Sequence, residues 1–245
     1  MIKYIPNTLT SLNLVCGLLS ILFVMMGDVV IASYLIFVGA FFDFTDGFAA
    51  RTLNAYSELG KQLDSLADLV SFGLAPSIII FHEIMNMIGL SFQSNLYESI
   101  STGQFILLLA PFFIVLASAF RLAKFNIDPE QSIEFRGLPT PASGLFFASI
   151  PLVRYSDTVF SDNRFLNEPI FLFIFSIFIS FLMVSNIPMF SLKIKNIKDK
   201  KNIPVFILLA LSLFLLIMFS LKAVFAIIIL YIFMSLILLL FPVKS

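Results

Sequence analysis

Polar chemistry is scarce in this chain. Of 245 residues, 15 are Lys or Arg and 15 are Asp or Glu, so charged residues make up only 12%, with a single cysteine and a single histidine. One cysteine excludes a disulfide framework or a cysteine metal site within the chain, and Cys16, inside the first apolar run, reads as packing. Formal net charge is zero, and no Lys/Arg cluster is interleaved with aromatics, so no nucleic-acid partner is expected. Period-2 alternation over segments of about ten residues is missing, which excludes a membrane barrel. No internal repeat or low-complexity linker divides the chain, and a single domain over residues 1–245 is expected.

What remains is apolar. Hydrophobic residues make up 60% of the chain, the mean hydropathy is +1.03, and long apolar runs recur from Leu12 to Pro242. A spanning helix needs roughly 20 such residues, and in hydrocarbon the backbone must satisfy its own hydrogen bonds. The pattern predicts an all-α integral membrane protein, a polytopic bundle of about eight transmembrane helices over 9–26, 29–50, 62–84, 104–126, 141–154, 168–188, 203–221 and 223–242. The fifth is short and bracketed by Pro141 and Pro151. Residues 1–26 superficially resemble a signal peptide but lack a small-residue cleavage site, so they read as an uncleaved first helix. With the N-terminus inside, only Arg154, Arg164 and Lys222 among the basic residues fall outside, as the positive-inside rule requires. The run Lys193–Lys201 then reads as a topology-fixing loop. The 31 phenylalanines, spread through every span, read as packing and lipid-facing bulk.

Charged side chains at membrane depth cost roughly 2.5–3.5 kcal/mol on insertion scales, so acids inside spans are functional candidates. Asp43 and Asp46 close the second span, and Asp64 and Asp68 open the third. The first pair is three residues apart and the second four, so each pair projects from one helix face. The short link from Ala50 to Gln62 makes the two helices antiparallel neighbours and gathers all four carboxylates at one cytoplasm-facing site. Like charges crowded in a low dielectric repel unless cations offset them. Oxygen ligation with no His or Cys nearby suits Mg²⁺, Mn²⁺ or Ca²⁺ better than Zn²⁺, and four carboxylates can hold two ions. Gly47 and Gly60 remove side chains where a phosphate or another helix must approach, and Arg51, one turn from Gly47, offers a planar fork to a phosphate or carboxylate.

The run D-x-x-D-G-x-x-A-R-(x8)-G-x-x-x-D-x-x-x-D, complete from Asp43 to Asp68, resembles the signature of the CDP-alcohol phosphatidyltransferase family. The resemblance implies a helical membrane enzyme, a homodimer, that binds a CDP-linked lipid through metal ions and transfers its phosphatidyl group with release of CMP. It puts Asp43, Asp46, Asp64 and Asp68 in the positions of metal ligands, with Asp68 also in that of the general base. Gly47, Arg51 and Ser57 match positions that contact the CDP moiety. Pro6-Asn7-Thr8-Leu9-Thr10 with Asn13, Ser71 to Pro76, Phe120 to Asn126 and Gly137 to Pro141 resemble the phosphatidylserine-forming branch, which implies CDP-diacylglycerol as donor and L-serine as acceptor. The resemblance covers about residues 4–145, the expected catalytic core; the spans within 168–242 then serve as scaffold or dimer contacts.

Asn7, Thr10 and Asn13 recur every three residues at the start of the first span; they cap the helix or contact cytidine or phosphate. Serine is a zwitterion whose carboxylate wants a cation. Arg121 and Lys124, three apart on one face, meet that need, with Asn126 as a further hydrogen-bonding group; alternatively the two cations anchor the helix at the interface. His82 lies too far along its helix to join the aspartates and reads as packing. The expected setting is the inner cell membrane, multi-pass, with membrane lipids around it. Two alternatives stand: a sister enzyme that takes glycerol 3-phosphate or an inositol phosphate, and a cation transporter that uses the carboxylates as its binding site.

Overall fold

The structure, a computed structural model, describes residues 4–91, 100–127, 136–156, 165–189 and 202–240. Every regular element among them is helical. The helices are α1 (Ile5–Met25), α2 (Val29–Thr52), α3 (Glu58–Asp68), α4 (Ala75–Met87), α5 (Thr102–Leu109), α6 (Phe112–Ile127), α7 (Thr140–Arg154), α8 (Pro169–Val184), α9 (Ile203–Phe219) and α10 (Ala223–Leu240). The basic run Lys193–Lys201, and Arg164 with it, lie outside the described residues.

Large apolar side chains point outward on nearly every helix, among them Leu18, Phe41, Leu116, Phe178, Leu213 and Phe233. Water would not tolerate such a surface, and lipid does. The chain is a multi-pass membrane protein. Among the described residues, five helical stretches are long and apolar enough to cross a bilayer: Ile5–Met25, Val29–Thr52, Glu58–Met87, Thr102–Ile127 and Ile203–Leu240. The count by length is five where the sequence led to about eight. Helices α7 and α8, at 15 and 16 residues, fall short of the ~20 a span needs. Ile203–Leu240 also counts once although it breaks at Ser220, whose φ is 54°, and α9 packs back on α10.

The short helix α7 is the centre of the bundle. Eleven of its 15 residues are buried, and it packs on α2, α4 and α10. Phe146 and Phe147 join Ile80, Ile84, Ile114, Leu172 and Ile179 in one core, while Ala148 faces a second one formed by Val24, Ala32, Ile36, Phe72 and Ile79. Being sheathed by other helices, α7 has no need to match the bilayer's thickness.

Between α3 and α4 the helix widens into a π-turn over Leu69–Leu74, closed by the Ala75 N–H donating to Val70 O. Pro76 explains the widening. In a regular helix its ring would collide with the carbonyl four residues back, and an added residue in the turn relieves that. Helices α1, α6 and α7 pack most extensively on this turn from elsewhere in the chain. The approach is close enough that a Cβ on Gly17 would lie 2.8 Å from Ser71 Cα, and one on Gly144 2.8 Å from Phe72 Cα. The bundle therefore grips the chain immediately after Asp68.

Candidate active site

Asp43 and Asp46 lie in the second half of α2, and Asp64 and Asp68 in the second half of α3. Carboxylate oxygens of Asp43, Asp64 and Asp68 all lie within 4.8 Å of one another. The first two residues are half-buried and Asp68 is buried. The chief neighbour of both α2 and α3 is α1, so the carboxylates meet across a space that α1 flanks. Close antiparallel packing of α2 on α3, expected from their short link, is not what joins them.

Asp46 stands slightly apart. Its Oδ2 accepts a 2.5 Å hydrogen bond from the Thr10 hydroxyl, yet it remains close enough to repel Asp43, Asp64 and Asp68. Asn13 Nδ2 donates to Asp68 Oδ1 at 3.2 Å. The asparagines and threonine of α1 thus do not cap it. The helix begins at Ile5 with Tyr4 at its N-cap and no side-chain capping bond, which places Asn7, Thr10 and Asn13 on one inner face. From there Thr10 reaches Asp46 of α2 and Asn13 reaches Asp68 of α3, while the Asn7 side chain lies beside Gly60.

Beside the aspartates lies a cleft of about 530 Å³, whose lining includes Asn7, Thr10, Asp46, Gly47, Ser57, Gly60 and Asp64, together with Tyr56, Glu58 and Lys61. All the residues expected to touch the CDP-lipid meet there except Arg51. That side chain is exposed, with its guanidinium beside Gly47, and no carboxylate pairs with it among the described residues. Ser57 also caps α3, its Oγ accepting from the Gly60 N–H at 3.0 Å.

The residues expected to hold an amino-acid acceptor divide. Arg121 is close enough to Asp68 to interact with its charge, and Nη1 donates to Thr140 Oγ1 at 3.4 Å; its buried Nε has no partner among the described residues. Arg121 and Lys124 line a small pocket of about 130 Å³ with Arg136, and Lys124 Nζ donates to Asn186 Oδ1 at 3.0 Å. Asn126 is elsewhere: its Nδ2 donates to Ser65 Oγ at 2.9 Å, and its carbonyl accepts from Lys61 Nζ at 3.0 Å. It ties α6 to α3.

The sequence profile described as CDP-alcohol phosphatidyltransferase matches residues 3–192. The chain belongs to this family. It is 39% identical over 185 residues to a CDP-diacylglycerol--serine O-phosphatidyltransferase of Bacillus subtilis, covering 76% of this chain and 89% of that protein. It is 30% identical over 220 residues to the enzyme of the same name from Helicobacter pylori, covering 89% and 83%. An archaetidylserine synthase of Methanothermobacter thermautotrophicus is 31% identical over 153 residues, covering 62% and 59%.

Membership removes the transporter alternative and leaves the acceptor to be decided. Two features of this phosphatidyltransferase were not foreseen as parts of its site. Arg136, read from sequence only as a cytoplasmic charge, is brought to the small pocket by Gly137. That glycine has a φ of 72°, and a Cβ there would meet the carbonyl oxygens of Leu182, Met183 and Ser185 at 2.6–2.9 Å; the Gly137 N–H donates to Ile187 O. Tyr231, from a helix with no recognised motif, lies close enough to Arg121 to interact with its charge. A glycine-proline motif hinted at the first; nothing in the sequence signalled the second. Far from this site, Glu83 of α4 and Arg154 of α7 form a buried ion pair, and Tyr155 Oη donates to Glu83 Oε1 at 3.2 Å.

Proposed function

We propose that this chain transfers the phosphatidyl group of CDP-diacylglycerol to the hydroxyl of L-serine and releases CMP. The observation that carries the reading is the three-carboxylate cluster, beside the signature-lined cleft and with half-buried Arg121 close enough to Asp68 to interact with its charge. The curated relatives support serine as the acceptor.

The cluster's chemistry fits a hard divalent cation. Its donors are all oxygen, three carboxylates converge, and the buried Asn13 Oδ1 beside them lacks a hydrogen-bond partner. Asp43, Asp64 and Asp68 would hold Mg²⁺ or Mn²⁺, with Asp46 completing a second site where two ions bind. Such ions offset the charge of the donor's pyrophosphate and of the departing CMP.

The chain's own groups have separable tasks. The cleft bordered by Gly47 and Gly60 gives the nucleotide end of the donor a bed without side chains, with Asn7, Ser57 and Arg51 at hand for hydrogen bonds and charge. Arg121, Lys124 and Arg136 attract the serine carboxylate and orient the hydroxyl toward phosphorus. Asp68, its rotation fixed by Asn13, accepts the hydroxyl proton as the new oxygen–phosphorus bond forms and the bond to CMP breaks. No Cys or His stands in the cluster, which favours direct attack over a covalent intermediate.

The finer topology follows the same reading. Counting α7, α8 and both arms of the α9–α10 pair gives eight crossings, N-terminus inside, with the site facing the cytoplasm from the inner membrane. Residues 4–145 form the catalytic core, and the chain pairs as a homodimer. Phe146 of α7 stacks on Phe225 of α10 with ring centroids 5.1 Å apart, so the last helices brace that core.

One observation favours a second reading. Three cations around a small pocket also suit a phosphorylated acceptor such as glycerol 3-phosphate. The deciding experiment measures CMP release by purified protein in detergent, with CDP-diacylglycerol, Mg²⁺ or Mn²⁺, and serine, glycerol 3-phosphate or inositol phosphate. Serine alone driving a release that EDTA abolishes supports the proposal. Release with a phosphorylated acceptor instead establishes the second reading, and no release with any acceptor sinks both.

A further inference from the structure

The end of the bundle opposite the aspartates holds a cavity for which the transfer chemistry has no use. It is a groove of about 450 Å³ between α7 and the α9–α10 pair, walled by Val153, Leu215, Phe219, Phe225 and Phe233. Among the described residues its single charged lining residue is Lys222, in the turn that joins α9 to α10. Lys222 is half-buried and has no ion-pair partner among the described residues. The neighbouring cation, Arg154, is already committed to Glu83.

The dimensions match one leaflet. From Lys222 to Phe233, α10 advances roughly 16 Å at ~1.5 Å per residue, about half of the ~30 Å hydrocarbon core. The groove therefore has a cationic mouth at one membrane face and an apolar bed that ends near the midplane. Snorkelling alone would account for the lysine but not for a bed beneath it. A helix from a second subunit could fill the bed, yet it would leave Lys222 without an anion. A phospholipid supplies both parts in one molecule.

We propose that this groove holds an anionic glycerophospholipid of the leaflet opposite the aspartate cluster. Its phosphate pairs with Lys222, and one acyl chain lies between α7 and the α9–α10 pair. The inference rests on the multi-pass fold and is independent of which alcohol the enzyme uses. Charge and shape contribute separately: the lysine selects anionic over zwitterionic headgroups, by about fivefold for one cation near a membrane surface, and the aromatic walls retain the chain.

The test reconstitutes the full chain in nanodiscs that hold phosphatidylglycerol and phosphatidylcholine of identical acyl chains in equal amounts. Extraction into detergent follows, and native mass spectrometry counts the retained lipid. The parent protein should retain phosphatidylglycerol about fivefold over phosphatidylcholine. Lys222→Gln should abolish that preference while CMP release at the far site is unchanged. Leu230 also lines the groove, and Leu230→Trp, which fills it and keeps the lysine, should lower retention of both lipids. Equal retention of the two lipids by the parent, or an undiminished preference in Lys222→Gln, overturns the proposal. So does a loss of dimer in Leu230→Trp with lipid retention intact, which would assign the groove to a subunit interface.

Discussion

Replacing Gly144 with alanine tests whether packing far from the aspartates sets the rate. The new Cβ would stand 2.7 Å from Phe72 Cβ and 2.8 Å from Phe72 Cα. Carbon atoms rest at about 3.5–4.0 Å, so α7 and the π-turn must separate by on the order of 0.7 Å. A flexible side chain could absorb that, but the obstacle here includes backbone, and α1 and α6 press on the same turn. Overpacking of this kind costs about 1–3 kcal/mol. Because Asp68 directly precedes the π-turn, the shift passes to its carboxylate, and a misplacement near 1 Å can cost about a hundredfold in rate. Gly144→Ala should therefore unfold at lower temperature in detergent and release CMP at least tenfold more slowly, with little change in donor affinity. Gly103→Ala, where a Cβ meets nothing within 4 Å, is the matched control and should leave both properties unchanged. A Gly144→Ala protein with the parent's melting temperature and turnover would refute the argument.

Further outcomes follow from the same geometry. Asp68→Asn should retain fold and donor binding but lose about 10²–10⁴ in turnover, measured as single-turnover CMP release; substantial remaining activity would argue against a base at this position. Arg121→Ala should raise the serine requirement roughly 10–100-fold, the worth of a charge-assisted hydrogen bond, and leave the donor requirement nearly unchanged; an equal effect on both would remove Arg121 from the acceptor site. Glu83→Gln should leave Arg154 buried without its counter-ion and cost about 3–5 kcal/mol of stability. It would be read as a fall in melting temperature with the KM for serine unaltered, and a KM shift would contradict the separation of the two sites.

The helical membrane class and the aspartate signature could be read from sequence because a cluster of carboxylates in an apolar context is too costly to serve packing alone. What stayed hidden depends on which helix faces which. Thr10 and Asp46 are 36 residues apart and Asn13 and Asp68 are 55 apart, so local spacing could not reveal that α1 supplies the cluster's hydrogen bonds. Starting the first helix at residue 9 when it begins at Ile5 also left Asn7 outside the helix and Thr10 in its first turn, which made capping plausible. The fifth span looked weak because it was judged as a lipid-spanning segment, whereas α7 is enclosed by protein. The fourth span proved to be two helices, α5 and α6, interrupted at Ala110 and Pro111, where proline removes a backbone donor. Asn126 was grouped with Arg121 and Lys124 by sequence proximity, but two residues beyond Lys124 a helix has turned to another face.

The buried pairing of Glu83 with Arg154 also bears on how the protein is made. During synthesis α4 leaves the ribosome some seventy residues before α7. Until α7 arrives, Glu83 must stay protonated, remain in contact with the translocon, or hold its helix short of full insertion, because a lone charge at membrane depth costs roughly 2.5–3.5 kcal/mol. Completion of the first half of the bundle thus waits on the second, and a nascent chain stopped after α6 carries an acid with no counter-ion, the kind of defect by which membrane quality control distinguishes an unfinished protein from a finished one.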